Sequence, residues 1–156
     1  SGIRSYRKNR LDKEHGFVIL QDYIADVKEW RIIRIGDYYF GFEKLKNGKF
    51  HSGSQNFGYG MPPKKCLDLV KEITDAQNFK YVDIDVFIKK EGSCLVNEIQ
   101  PYFGQKDDRE LLQIEGESGR LTFNENTKNW DFEKGKYCMN NLCNLRIQEM
   151  IKTLNK

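Results

Sequence analysis

Long apolar runs are absent from the sequence: none approaches the length of a membrane-spanning helix, and the first residues lack the apolar core of a secretory signal. Histidine and cysteine are scarce, with two and four residues, and their spacing matches no zinc site. The net charge of +3 is too small to indicate a nucleic-acid partner by itself. We therefore expect a cytoplasmic protein with reduced thiols, no membrane span and no nucleic-acid partner.

Aromatic and charged residues, by contrast, are plentiful. The chain has ten phenylalanines, eight tyrosines and two tryptophans, and 31% of its residues are charged, with both signs mixed along the sequence. This composition is typical of a folded chain rather than a disordered one. At 156 residues the chain is long enough for one core but not for two comfortable ones, so we expect a single domain over residues 1–156.

The first half of the chain predicts strands and a loop. Residues 16–24 are apolar and β-branched, and they indicate a buried strand that follows a basic, polar lead-in over residues 1–15. Residues 29–45 predict a hairpin with a tight turn at Gly36. A turn and a loop rich in glycine and serine follow over residues 46–63.

The second half adds two helices and a second hairpin. Residues 64–78 carry apolar side chains at helical spacing, and residues 80–88 and 93–100 predict two strands joined by a short turn. A closing helix within residues 136–156 is predicted to place most of its apolar side chains on one side: Leu142, Leu145, Ile147, Met150, Ile151 and Leu154. The order of elements predicts an α+β domain with a mostly antiparallel sheet and packed helices.

Two pairs of oxygen-bearing side chains lie at strand spacing. Asp83 and Asp85 share one face of their strand, and Glu98 and Gln100 share one face of the next. If the strands pair, one sheet face gathers acids that are costly to bury unless a cation neutralises them. Oxygen-only ligands suit Mg²⁺. A second interpretation stays open, in which an edge strand turns these polar side chains to water.

An acid and an arginine share one face of the preceding hairpin. Glu29 and Arg31 lie on that face, whereas Ile32 and Arg34 lie on the other. An arginine inside an apolar strand suits a phosphate oxygen, because its forked guanidinium makes charge-assisted hydrogen bonds. A surface salt bridge explains the same pattern equally well.

Five segments in order resemble the C-terminal part of the ATP-grasp ligase domain: "VILQDYI", "EWRIIRIGD", "KFHSGSQNFGYG", "YVDIDVF" and "LVNEIQPYFG". The likeness extends over about residues 16–135. It is closer to the ATP-grasp proteins encoded with bacterial surface-polysaccharide genes, which have a similar serine-glycine loop after the hairpin and a similar tail to "FNENTKNWDFEKG".

The resemblance implies a role for each matching position. Glu29 matches the acid that holds the ribose hydroxyls, and Arg31 matches the strand arginine that meets the phosphates. Asp85 and Glu98 match two magnesium ligands, and Gln100 stands where the family usually has asparagine. The adenine pocket would be lined by Gln21, Asp22, Tyr23 and Ile24, and the loop near the phosphates or the acceptor contains Ser52, Gly53 and Ser54.

These roles imply a ligase that uses ATP and two Mg²⁺ ions. Such an enzyme phosphorylates a small carboxylate substrate, and an amine or another nucleophile then attacks the acyl phosphate. The family's nucleotide site also needs an N-terminal half, which we expect on the same or another polypeptide, so this segment alone is expected to be inactive. The alternative is a truncated or non-catalytic nucleotide-binding module that keeps the sheet without the chemistry.

Overall fold

A computed structural model of the chain describes residues 22–48, 56–104 and 109–155. The strands there are β1 Lys28–Ile35, β2 Tyr38–Lys44, β3 Phe57–Gly58, β4 Tyr81–Ile88, β5 Cys94–Gln100, β6 Gln113–Ile114, β7 Glu117–Asn124 and β8 Asn129–Lys134. The helices are α1, Lys64–Ala76, and α2, Cys143–Leu154. No helix among these described residues is long and apolar enough to cross a membrane.

The strands form one sheet in the order β5-β4-β1-β2-β7-β6, with β3 paired to β2 and β8 paired to β7. Every strand pair within the described ranges is antiparallel. The prediction of an α+β fold with a mostly antiparallel sheet is therefore confirmed. Both predicted hairpins, β1–β2 and β4–β5, are present, and they lie side by side in the middle and at one edge of the sheet.

The two helices pack on opposite faces of the sheet. Helix α1 buries Cys66, Leu67 and Val70 against the face that carries Trp30 and Ile32. An arginine on this same face, Arg34, is also buried, and its guanidinium donates to the Gly36 carbonyl (2.9 Å), the Thr74 hydroxyl (2.6 Å) and the Asp75 carboxylate (2.5 Å). These contacts tie helix α1 to the β1–β2 turn.

Helix α2 covers only part of the other face, and most of the predicted apolar stripe does not pack against the sheet. Leu145 and Glu149, one turn apart, are the buried residues of the helix, and Leu142 is buried just before it. The remaining apolar side chains of the predicted stripe are about half exposed or more: Ile147, Met150, Ile151 and Leu154. Glu149 is instead turned towards the sheet, where its side chain lies against Gly36.

Two further segments differ from the sequence prediction. Residues 117–134 form the β7–β8 hairpin, which the sequence analysis did not predict, and they extend the sheet through the pairing of Tyr38 and Tyr39 with β7. The predicted strand over residues 16–24 is wrong at its described end, because Asp22, Tyr23 and Ile24 are irregular and make no strand pair. The rest of that segment lies outside the described residues.

A glycine at the β1–β2 turn provides a test of this packing. Gly36 has a φ of +61°, and a Cβ atom there would lie 2.5 Å from Oε2 of Glu149. We expect Gly36→Ala to lower the free energy of unfolding by at least about 1 kcal/mol, because alanine is strained at positive φ and the carboxylate must move. Urea unfolding would measure this change. Gly104→Ala is the matched control, since a Cβ there meets nothing closer than 3.4 Å; equal stability of both variants would contradict the packing described.

Candidate active site

The predicted acids and the predicted arginine meet on one face of the sheet. Across three strands, Glu98 on β5 pairs with Asp85 on β4, and Asp85 pairs with Arg31 on β1. Paired residues of neighbouring strands project to the same face. Two residues further along these strands, Gln100 pairs with Asp83 in the same way. The expectation that these side chains share a face is confirmed.

A β-bulge determines which side chains of the edge strand β5 face the cluster. The pairing of β4 with β5 shifts between Asp85 and Val86, so that Val86 faces Val96 and Asn97 is the extra residue. In a regular strand, Val96 and Glu98 would share one face because they are two residues apart. The bulge instead leaves Val96 packed against the core under α1, and it turns Glu98 towards Asp85 on the other face.

Arg31 is the central cation of the site. Its guanidinium donates two hydrogen bonds to the carboxylate of Asp85, from Nε to Oδ1 at 2.8 Å and from Nη2 to Oδ2 at 2.9 Å. Its Nε also lies 3.1 Å from Oδ2 of Asp83, without the geometry of a hydrogen bond. Bidentate pairs of this kind are among the stronger ionic contacts in proteins. Arg31 is thus held between two buried carboxylates.

A second cation, Lys44, was missed by the sequence analysis. Its Nζ donates to Oε1 of Glu29 at 2.5 Å and to Oδ2 of Asp85 at 2.9 Å. Lys44 is at the end of β2, where it pairs with Glu29 across the hairpin. The hairpin register that follows from the Gly36-Asp37 turn would have placed it there, because Glu29 lies seven residues before Gly36 and Lys44 lies seven residues after Asp37. Glu29, expected to hold a ribose, is buried against this lysine.

The described cluster carries more negative than positive charge. Four carboxylates, on Glu29, Asp83, Asp85 and Glu98, stand against the two cations Arg31 and Lys44, which leaves a net charge of −2 when all are ionised. Buried charge without compensation is costly. Glu98 is exposed to solvent, so the buried part of the cluster holds three carboxylates against these two cations, and the side chain of Arg109 lines the same cavity as Asp83.

Asp83 and Asp85 respond to burial in opposite ways. Burial alone would raise the pKa of Asp85, but the hydrogen bonds from Arg31 and Lys44 outweigh it and hold that pKa below its usual range. Burial raises the pKa of Asp83 to about 7 in spite of the attraction of Arg31, and the negative charge of Asp85 adds to the rise. Neither carboxylate oxygen of Asp83 accepts a hydrogen bond from a described residue.

The donor set is chemically suited to a hard cation, although its oxygens are not gathered around one point. Asp85, Glu98 and Gln100 offer carboxylate and amide oxygens on one face, with Glu98 exposed and Gln100 half-buried. Both carboxylate oxygens of Asp85 already accept hydrogen bonds, Oδ1 from Arg31 and Oδ2 from Arg31 and Lys44. Within the described ranges, no group of three or more His, Cys, Asp or Glu side chains is arranged to hold a metal ion.

The residues predicted to bind nucleotide are only partly described. Asp22 and Tyr23 are exposed and Ile24 is half-buried, in the irregular segment that leads into β1. Gln21 lies outside the described residues, as do the loop residues Ser52, Gly53 and Ser54. The adenine and loop assignments therefore stay predictions.

Comparisons with protein-family models, curated proteins and solved structures found no match to this chain. The likeness to ATP-grasp ligases thus stays a prediction, based on the order of the quoted segments. The geometry of the site is independent of that likeness. What the site can do follows from its donors, its cations and its charge.

The raised pKa of Asp83 predicts a pH dependence of stability. The folded chain holds this proton more tightly than the unfolded chain, where the ordinary value is 3.8, so stability falls as pH rises from about 4 to about 7. We expect Asp83→Asn to remove this loss and to exceed the wild type by about 2–4 kcal/mol at pH 8, with a much smaller difference at pH 4. Urea unfolding in EDTA at several pH values would measure it; a difference between the two proteins that does not change with pH would contradict the burial of an ionisable Asp83.

Proposed function

We propose that the chain is the C-terminal subdomain of an ATP- and Mg²⁺-dependent carboxylate–amine ligase of the ATP-grasp kind, or of one that uses another nucleophile. The observation that carries this proposal is the cross-strand row Arg31–Asp85–Glu98, with an excess negative charge beside an arginine. A site that brings a divalent cation and a guanidinium together is suited to phosphoryl transfer, where charge must be neutralised on the transferred group.

Each residue has a defined task in this proposal. Asp85, Glu98 and Gln100 would hold Mg²⁺, and the bound metal would supply charge neutralisation to the phosphates of ATP. Arg31 already lies beside Asp85 and would contact the transferred phosphoryl group through the part of its side chain that stays accessible, about 23%. Lys44 occupies one oxygen of Asp85, so an ion at Asp85 competes with this lysine.

The nucleotide would enter from the part of the face that helix α2 leaves uncovered. The proposal assigns the adenine pocket to Gln21, Asp22, Tyr23 and Ile24, and the phosphate or acceptor loop to Ser52, Gly53 and Ser54. Glu29 would hold the ribose, which requires it to exchange its contact with Lys44 for the sugar hydroxyls. We propose bacterial surface-polysaccharide biosynthesis as the setting of the reaction, and an N-terminal ATP-grasp half on the same or another chain would complete the site.

A non-catalytic nucleotide-binding module is the second candidate, and one observation favours it. Both buried acids that the proposal needs, Glu29 and Asp85, are already neutralised by Lys44 and Arg31 within the chain. A module of this kind would bind nucleotide with or without Mg²⁺ and would not hydrolyse it. Phosphate release from ATP in the presence of the N-terminal half and a carboxylate substrate distinguishes the two.

Calorimetry with Mg²⁺ and a non-hydrolysable ATP analogue tests the proposal on this chain. We expect weak binding that EDTA abolishes, and at least a tenfold loss of affinity in Glu98→Ala, because this exposed carboxylate holds the metal rather than the fold. Glu117→Ala is the matched control, since Glu117 is an exposed strand glutamate at the other side of the sheet. Binding that is absent in the wild type, or equal in both variants, would contradict the proposed metal site.

A further inference from the structure

Two cysteine thiols meet between helix α1 and the edge strand β5. Sγ of Cys66 lies 3.3 Å from Sγ of Cys94, within the distance of a thiol hydrogen bond, and both cysteines are free. Cys66 is in the first turn of α1 and Cys94 is the first residue of β5, so 28 positions of sequence separate them. They lie on the face of the sheet that α1 covers, opposite to Arg31 and Asp85.

The separation of the two sulfur atoms is only slightly longer than a disulfide bond. An S–S bond is about 2.05 Å long, so the two atoms would have to approach by about 1.2 Å. Among the described strands β5 pairs with β4 alone, and Cys94 follows the turn that contains Gly92. A small movement at this edge of the sheet is therefore enough to bring the sulfur atoms to bonding distance.

The two thiols differ in their access to solvent. Cys94 is half-buried, whereas Cys66 is fully buried under the helix. Burial, together with the contact to Cys94, raises the pKa of the Cys66 thiol above its usual range, so Cys66 keeps its proton at neutral pH. A reagent that arrives from solvent meets Cys94 first, and Cys66 is in place to react second.

We propose that Cys66 and Cys94 are a dithiol that small-molecule disulfides oxidise reversibly to a disulfide between helix α1 and strand β5. The thiolate of Cys94 attacks one sulfur of the reagent, which forms a mixed disulfide and releases one reagent thiolate that takes up the proton lost by Cys94. The sulfur of Cys66 then attacks Sγ of Cys94, and its proton passes to the second departing thiolate. Two thiols of the chain are oxidised, and the disulfide of the reagent is reduced to two thiols.

The bond would join the first turn of α1 to the strand that also carries Glu98 and Gln100. The proposal goes beyond the ligase function and does not depend on it, because the thiols and the proposed metal ligands lie on opposite faces of the sheet. A disulfide across a loop of this length restricts the unfolded chain. We therefore expect the Tm of the oxidised chain to exceed that of the reduced chain by about 5–15 °C.

The probe for this proposal is oxidised glutathione, added to the reduced, folded chain, with the products identified by mass spectrometry of its peptides. We expect a Cys66–Cys94 disulfide as the main product, which dithiothreitol reverses. Cys66→Ala should stop after the first step, with a glutathione adduct on Cys94. Cys143→Ser is the matched control, because Cys143 is a half-buried cysteine of helix α2 and its loss should leave the Cys66–Cys94 disulfide unchanged.

A second variant covers the case in which Cys66→Ala fails to fold. Cys94→Ser changes a half-buried position at the sheet edge, and it should leave Cys66 without an adduct, because Cys66 is buried. Three results would overturn the proposal: a glutathione adduct that persists on Cys94 of the wild type, a main disulfide that contains Cys138 or Cys143, or no reaction at Cys94. Because glutathione oxidation requires neither nucleotide nor Mg²⁺, each of these results leaves the ligase proposal standing.

Discussion

The ion pair between Arg31 and Asp85 is the contact on which the rest of the site depends. It links the neighbouring strands β1 and β4 on one face of the sheet, and it places a guanidinium inside a cluster that carries more negative than positive charge. Breaking such a pair by removing one partner leaves an uncompensated buried charge, which is far more costly than the pair itself is stabilising. The Arg31–Asp85 pair is therefore not equivalent to an exposed salt bridge on the protein surface.

Asp83 and Glu98 lie in different surroundings from Asp85. Asp85 is neutralised from two sides, by Arg31 and Lys44, and so stays ionised. Asp83 is buried without a hydrogen-bond donor among the described residues, and Glu98 is exposed at the sheet edge. A cation that approaches from solvent therefore meets Glu98 first.

Strand alternation predicted much of this arrangement from the sequence. The two hairpins, helix α1 and the common face of Asp83, Asp85 and Glu98 follow from periods of 2 and 3.6 residues and from turn glycines. The rotation of helix α2 was not predictable, because it depends on Glu149 meeting a glycine more than a hundred residues away. The cavity beside Arg31 was not predictable either, since its described walls come from seven separate stretches of the chain.

Strand alternation predicted correctly that Glu98 shares a face with Asp85, but it did not predict the β-bulge in β5 that puts Glu98 there. The extra residue Asn97 switches the alternation between Val96 and Glu98, and no glycine or proline marks this bulge in the sequence. Lys44 was missed because its place beside Glu29 follows only from the hairpin register. A search of each acid for a basic partner across the predicted turn would have found it. The features that were not predicted depend on long-range packing and on irregular strand pairing rather than on local sequence propensity.

A crystal structure with Mn²⁺ and a non-hydrolysable ATP analogue, with the metal located by anomalous scattering, would show whether this sheet face binds a divalent ion. We expect a metal peak coordinated by carboxylate oxygens of Asp85 and Glu98, with Lys44 withdrawn from Asp85 and Arg31 facing the phosphates. A map without metal at these two residues, with Lys44 still bridging Glu29 and Asp85, would contradict it.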